Sequence, residues 1–317
     1  MGLLPRGMAV QANNLEIGLN QAQVNAVEQS TPVARQDSAT EKARRERRHA
    51  LILPREHGAW GLLLVPMVTG AGVAFRESNH VVPILLLLTA ALALFWLRTP
   101  VESLLGTSAM RAQTDEERRA VLTVIAGLGA VAAASLGMLL WAGRNPGLWL
   151  IGIVAGVAFA GQALLKKLGR STRMLSEIVG TVGLTSAAAA SYYVITGKFG
   201  TTAWMLWVAN LMFAGNQIHY VQLRIHTARV EGFRNKFARG WTFALGQFAM
   251  AGLLAGAAAI GILPWIALIA FVPLLFRGWL YFFQKPGPLM VRRLGWNELT
   301  QAIIFCVLFI GAFAFTK

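Results

Sequence analysis

The chain has 317 residues, 56% of them hydrophobic and only 14% charged, with a formal net charge of +15. A water-soluble domain of this length needs a more polar surface, so the composition excludes one and points to lipid as the surroundings. The single cysteine, Cys306, excludes a disulfide framework and a cysteine-based metal site.

Residues 1–48 are polar, rich in Gln, Asn, Ala and Glu, and lack a sustained apolar face, so they read as a disordered tail. No basic stretch followed by an apolar core and a cleavage site opens the chain, and no cleaved leader is expected. The tail ends in Glu41-Lys42-Ala43-Arg44-Arg45-Glu46-Arg47-Arg48. This basic segment reads as a juxtamembrane anchor on anionic lipid, with a partner-binding role as the alternative.

Residues 49–317 form the second domain. Here apolar runs of membrane-spanning length alternate with short charged connections. Nine such runs are read, over 58–75, 81–98, 120–142, 146–165, 174–196, 202–222, 240–262, 264–283 and 297–316. Pro66, Pro264 and Pro273 fall in or beside them, as membrane helices tolerate when neighbours satisfy the backbone. Gly152, Gly156, Gly161, the stretch from Gly183 to Ala190, and Gly246, Gly252, Gly256 and Gly261 are expected to let helices approach closely. Trp60, Trp96, Trp141 and Trp296 are placed as interface-belt residues.

Charge sets the orientation. The connections after runs two, four, six and eight hold seventeen Lys and Arg, from Arg98 to Arg293, whereas the alternate connections hold Arg76, Arg144 and Lys198. The basic set is therefore expected on the cytoplasmic side. This placement of the cations argues for membrane topology and against nucleic acid. The expected fold is all-α, a polytopic transmembrane bundle of about nine helices with its N-terminus inside and its C-terminus outside. The expected location is a bacterial inner (cell) membrane. Lys166, Lys167, Arg292 and Arg293 read as plain topology determinants.

The remaining polar residues gather at the cytoplasmic ends of the runs. Pro54-Arg55-Glu56-His57 opens run one, and Arg98-Thr99-Pro100-Val101-Glu102 closes run two. Arg173 to Glu177 opens run five, Asn216 to Arg224 closes run six, and Asn297, Glu298 and Gln301 open run nine. Arg98 and Glu102, Arg173 and Glu177, and Asn297 and Gln301 each stand four apart and share a helix face. Asn216, Tyr220 and Arg224 make one stripe with His219 beside it. Charge within a bilayer is costly, so these side chains are expected to face the bundle interior and converge in one hollow.

Such a hollow suits an anionic head group held by Arg. Substrate-binding candidates are Arg55, Glu56, Arg98, Arg173, Asn216, Tyr220, Arg224, Asn297 and Gln301. His57 and His219 are candidates for proton transfer, and Glu102 and Glu177 are the candidate catalytic carboxylates. The four glutamates could hold a hard cation with waters, but nothing places two on one helix, so no metal site is assigned and the cofactor is left unknown. The expected partners are the bilayer and an isoprenoid or phospholipid ligand. Three readings stay open: a lipid-binding protein with transferase chemistry, a transporter or permease, and a scaffold whose ion pairs only close the bundle. One-sided polarity and the lack of a clear inverted repeat count against transport.

Pro54-Arg55-Glu56-His57-Gly58-Ala59-Trp60 resembles the opening of the YwiC-like family of bacterial membrane proteins. The likeness continues in Glu177-Ile178-Val179-Gly180, in the Ala-rich stretch to Tyr192-Tyr193, and in Tyr220-Val221-Gln222-Leu223-Arg224-Ile225. It is read as covering nearly everything from Leu53 onward. A more distant likeness is to UbiA-type intramembrane prenyltransferases, with polar clusters ending helices two and six. That resemblance implies magnesium and an isoprenoid diphosphate held by Asp-rich motifs. Here the only aspartates are Asp37 and Asp115, and neither lies at those positions. The resemblance thus implies a lipid anion held by Arg, Lys and His, without the magnesium chemistry.

Overall fold

The computed structural model describes residues 41–42, 44–53, 57–108, 110–169 and 172–315. The chain divides into two units, Met1–Leu53 and Pro54–Lys317. In the first, residues 44–52 are helical (α1) at the point where the sequence reading ends its tail. Ala, Arg and Glu are good helix formers, and Arg45 pairs with Glu41 at 3.1 Å across one turn. The rest of the tail lies outside the described residues.

The second unit is helical throughout its described residues, with no strand. In chain order it comprises α2 (His57–Ala74), α3 (Val81–Leu105), α4 (Asp115–Trp141), α5 (Asn145–Lys167), α6 (Arg173–Thr185), α7 (Ala187–Thr196), α8 (Thr201–Thr227), α9 (Phe233–Ala259), a 3-10 turn at Trp265–Phe271, α10 (Val272–Phe283) and α11 (Val291–Ala314). Among the described residues seven segments are long and apolar enough to cross a membrane. The helix α8 has the length but carries Asn210, Asn216, Gln217, His219 and Arg224. The apolar part of α2, Trp60–Ala74, is shorter.

The nine expected runs all appear, two of them in two pieces. The run at 174–196 bends at Ser186 between α6 and α7. There Thr185 donates to the Thr181 carbonyl, Ser186 to Gly183 and Ser191 to Ala187. Such hydroxyl back-bonding loosens the helical ladder. The run at 264–283 starts as a 3-10 turn because Pro273 supplies no N–H to an α-helix at that point. Several helices also outrun their apolar stretches. Pro100 lies inside α3 without ending it; the helix stops at Gly106, whose φ of 71° suits glycine. At its N-terminal end α9 begins at Phe233, and Gly240 marks a kink.

The Met174–Thr196 segment is the bundle's centre: 67% of it is buried, against 17–39% for the other spans. Ala188, Ala189, Val194 and Ile195 are fully buried. A Cβ on Gly70 of α2 would stand 2.0 Å from the Ala188 carbonyl oxygen, so glycine is what lets α2 lie on α7. Gly183 likewise abuts Ala158. Gly152, Gly156, Gly252, Gly256 and Gly261 correct the expectation of close packing, because open space lies beside each: the first four stand on exposed helix faces, and Gly261 lies in the turn after α9 with a φ of 77°. Of the four expected belt residues, Trp96, Trp141 and Trp296 are exposed. Trp60 instead packs on Phe95, ring centres 4.7 Å apart.

Candidate functional site

Arg98 and Glu102 pair as their spacing requires, with Nε donating to Oε1 at 3.0 Å. The same oxygen accepts from Lys166 Nζ at the end of α5, at 2.8 Å. Glu102 is 8% exposed. Two cations on one buried carboxylate tie α3 to α5. Lys166, read from sequence as a topology determinant, is thus an ion-pair partner whose flexible stem reaches a neighbouring helix.

Glu177, on the first turns of α6, accepts from Gln222 Nε2 of α8 at 3.3 Å. Arg173 opens α6, but its side chain lies outside the described residues, as do Arg55, Glu56 and the side chain of His57.

A third set stands between α8, α9, α10 and α11. Arg277, in the middle of α10, grips Glu298 of α11 with both arms, Nη1 to Oε1 at 2.6 Å and Nη2 to Oε2 at 3.1 Å. Its guanidinium also covers the Tyr220 ring at 4.0 Å. Gln217 donates to the backbone carbonyl of Glu298 at 2.9 Å. Arg224 and Lys236 each lie 4.9 Å from the centre of the Tyr281 ring. Lys236 is 1% exposed and donates to the Gln284 carbonyl at 2.5 Å. Arg224 Nη1 is 3.5 Å from the Tyr220 hydroxyl.

Charge balance separates this set from the first. Among the described residues neither Arg224 nor Lys236 has a carboxylate within ion-pair distance. Sharing one ring, the buried Lys236 and the half-buried Arg224 stand within about 10 Å of each other, where like charges still repel. Several polar atoms on these helices are also buried without a hydrogen-bond partner among the described residues: Arg224 Nε, Arg277 Nε, Asn216 Oδ1 and both amide atoms of Gln247. Gln247 is 1% exposed. His219 is half-buried, edge-on to Phe243 at 5.2 Å. Asn297 is exposed: Glu298, Ala302 and Phe305 set the inward face of α11, which leaves Asn297 on the rim and Gln301 half-buried.

The three sets occupy one end of the bundle. Lys166 joins α5 to Glu102, Ser176 bonds to the Gln162 carbonyl, Gln222 joins α8 to Glu177, and Gln217 joins α8 to Glu298. Against the one shared hollow expected from sequence, the described contacts fall into three clusters, at Glu102, at Glu177 and at Glu298. Sequence reasoning missed Lys236, Tyr281 and Gln247, and placed Arg277 in a connection. The usable signal for Arg277 was an arginine inside the apolar run 264–283. Among the described residues no three His, Cys, Asp or Glu side chains gather as a metal site requires.

The opposite end has its own cluster. Tyr192 donates to Glu77 Oε1 at 2.6 Å and Lys198 to Oε2 at 3.0 Å. The tyrosine hydrogen bond, helped by Lys198 and opposed by burial, holds the Glu77 carboxyl below its usual range.

Residues 53–192 match the family model described as YwiC-like protein. No curated protein and no solved structure matches. The matched stretch carries Arg98, Glu102, Lys166 and Glu177; Tyr220 to Ile225 and the α8–α11 cluster lie beyond it.

Proposed function

We propose, from the premise that residues 53–192 belong to the YwiC-like protein family, that this multi-pass membrane protein binds the anionic head of an amphiphile at the basic end of its bundle. The head group, of an isoprenoid phosphate or a phospholipid, sits against Arg224 and Lys236, with Tyr220 and Tyr281 as its aromatic walls. The observation that carries this reading is the pair of cations sharing Tyr281, neither of which has a carboxylate within ion-pair distance among the described residues. Buried charge is tolerated when paired, and a bound anion supplies the missing partner. The unpartnered guanidinium nitrogens of Arg224 and Arg277 are donors of the kind an oxyanion accepts.

The charge distribution supports a bacterial inner membrane with this end on the cytoplasmic side. A transferase version of the reading uses His219, next to Tyr220, to move a proton. Glu102 is less suited to catalysis, since both of its cations bind one oxygen and tie helices together.

Native mass spectrometry of the protein in mild detergent tests the proposal. Wild type is expected to retain a co-purified anionic lipid, or to be labelled by a photo-reactive prenyl diphosphate. Arg224→Ala and Lys236→Met should each reduce occupancy at least about tenfold, the scale of one lost charge-assisted contact. Equal occupancy in wild type and both variants would overturn it.

A further inference from the structure

A cavity of about 910 Å³ opens between the α8–α9 turn and the connection from α10 to α11. It lies outside the three clusters, and its size is that of a small-molecule site. Its polar lining comprises His226, Arg229, Glu231, Asn235 and Arg239, and Pro288 and Leu289 line it from the connection between α10 and α11.

Backbone geometry holds the walls in place. The Gly287 N–H donates to the Ala228 carbonyl at 3.0 Å, pinning one connection to the other. Val230 N–H donates to Thr227, and Gly232 turns the chain into α9 with a φ of 77°. Asn235 Nδ2 caps the Glu231 carbonyl at 3.1 Å. The cavity is therefore a built feature of the turn.

Its charge is asymmetric. Two arginines and one glutamate line it, all three exposed, and among the described residues neither Arg229 nor Arg239 has a carboxylate within ion-pair distance. His226 Nδ1 is engaged with the Gln222 carbonyl at 2.7 Å, which fixes the ring at the edge of the cavity. Asn235 and Arg239 share the face of α9 that lines it. Lys236 turns the other way, toward Tyr281. Opposite faces of α9 thus line this cavity and reach Tyr281.

We infer that the cavity is a second anion site, which takes a phosphate- or carboxylate-bearing small molecule between Arg229 and Arg239. It stands on observations separate from the buried pair. Planar guanidinium forks suit bidentate oxyanions, and two of them lining one cavity select for anions over neutral solutes. The anion's source is either a soluble molecule or a lipid head group swung over the rim, and the test separates these.

Inorganic pyrophosphate is titrated into the full chain by calorimetry, in nanodiscs of purely zwitterionic lipid. Saturable binding is expected, weakened at least about tenfold in the double variant Arg229→Ala/Arg239→Ala and partly restored in Arg229→Lys/Arg239→Lys. Thermal unfolding of each variant confirms that it is folded. Arg224→Ala alters the site proposed above, and should leave in place the binding event that the Arg229 and Arg239 substitutions weaken, whatever happens to its co-purified lipid. Repeating the titration in nanodiscs rich in anionic lipid assigns the source: undiminished binding supports a soluble ligand, and competition supports a lipid head in the same site. Absence of saturable binding, or binding lost in Arg224→Ala but kept in Arg229→Ala/Arg239→Ala, would overturn the assignment.

Discussion

The clusters at Glu102 and at Tyr281 stand at the same end of the bundle and use the same residue types, yet they are different devices. In the first, one carboxylate collects two cations and every formal charge has an opposite within 3.0 Å. In the second, Glu298 answers Arg277, while Arg224 and Lys236 share an aromatic ring. The first lies within the family-matched stretch and joins two helices of the bundle. The second lies beyond that stretch, among helices that leave buried polar atoms unpartnered. Compensated charge is what a bundle needs to close. Uncompensated buried charge is what a bundle avoids unless something else supplies the balance.

Removing one group from each cluster sharpens that contrast. Glu102→Ala strands Arg98 and Lys166 near each other without their carboxylate, and should lower stability by about 3 kcal/mol, the range for breaking a buried pair. Thermal unfolding in detergent reads this as a fall of several degrees. A variant as stable as wild type would mean that the pair is solvated and idle. Gly70→Ala tests the packing around the same bundle core. Its new methyl would overlap the Ala188 carbonyl, and backbone offers no rotamer to escape. A loss of about 2 kcal/mol is expected.

The Tyr281 cluster predicts a smaller effect, within about 1 kcal/mol of wild type, for Lys236→Met in lipid-stripped protein. Relief of repulsion from Arg224 offsets the lost hydrogen bond to Gln284. If that variant falls as far as Glu102→Ala, Lys236 is structural, and the contrast between the clusters disappears.

The sequence carried the fold well and the site in part, for physical reasons. Helices in lipid must be long and apolar, so runs such as 81–98 and 146–165 announce themselves. Their ends do not, because a helix continues past its apolar stretch wherever water or a partner satisfies the side chains. Arg98 and Glu102 on α3, and Lys236 on α9, were placed in the structure by such continuation. Pairings within a helix follow from spacing, and Arg98–Glu102 was legible for that reason. Pairings between helices depend on which faces pack. Nothing in the linear pattern sends Lys166 to Glu102, or sets Arg224 and Lys236 against Tyr281. Asn297 shows the converse, since it shares a face with Gln301 but sits where that face turns outward.

The opposite end of the bundle gives the mildest test, because its one cluster is compensated and open to water. Glu77 holds the Tyr192 phenol and Lys198, and its carboxyl is depressed below the usual range, first by the tyrosine hydrogen bond. A carboxyl whose pKa is lower in the folded state stabilises the fold above the unfolded value. That contribution drains away as pH falls through the folded value. Between about pH 6 and about pH 3.5, wild type should therefore lose slightly more melting temperature than Glu77→Gln, which has no proton to take up. Tyr192→Phe should fall between the two, since it keeps Lys198 but removes the leading cause of the shift. The difference should be small, because Lys198 is largely exposed and water screens the pair. Identical pH profiles for all three would place Glu77 outside the fold's charge balance. The buried clusters at the basic end would then be the only described ones in which charge decides stability.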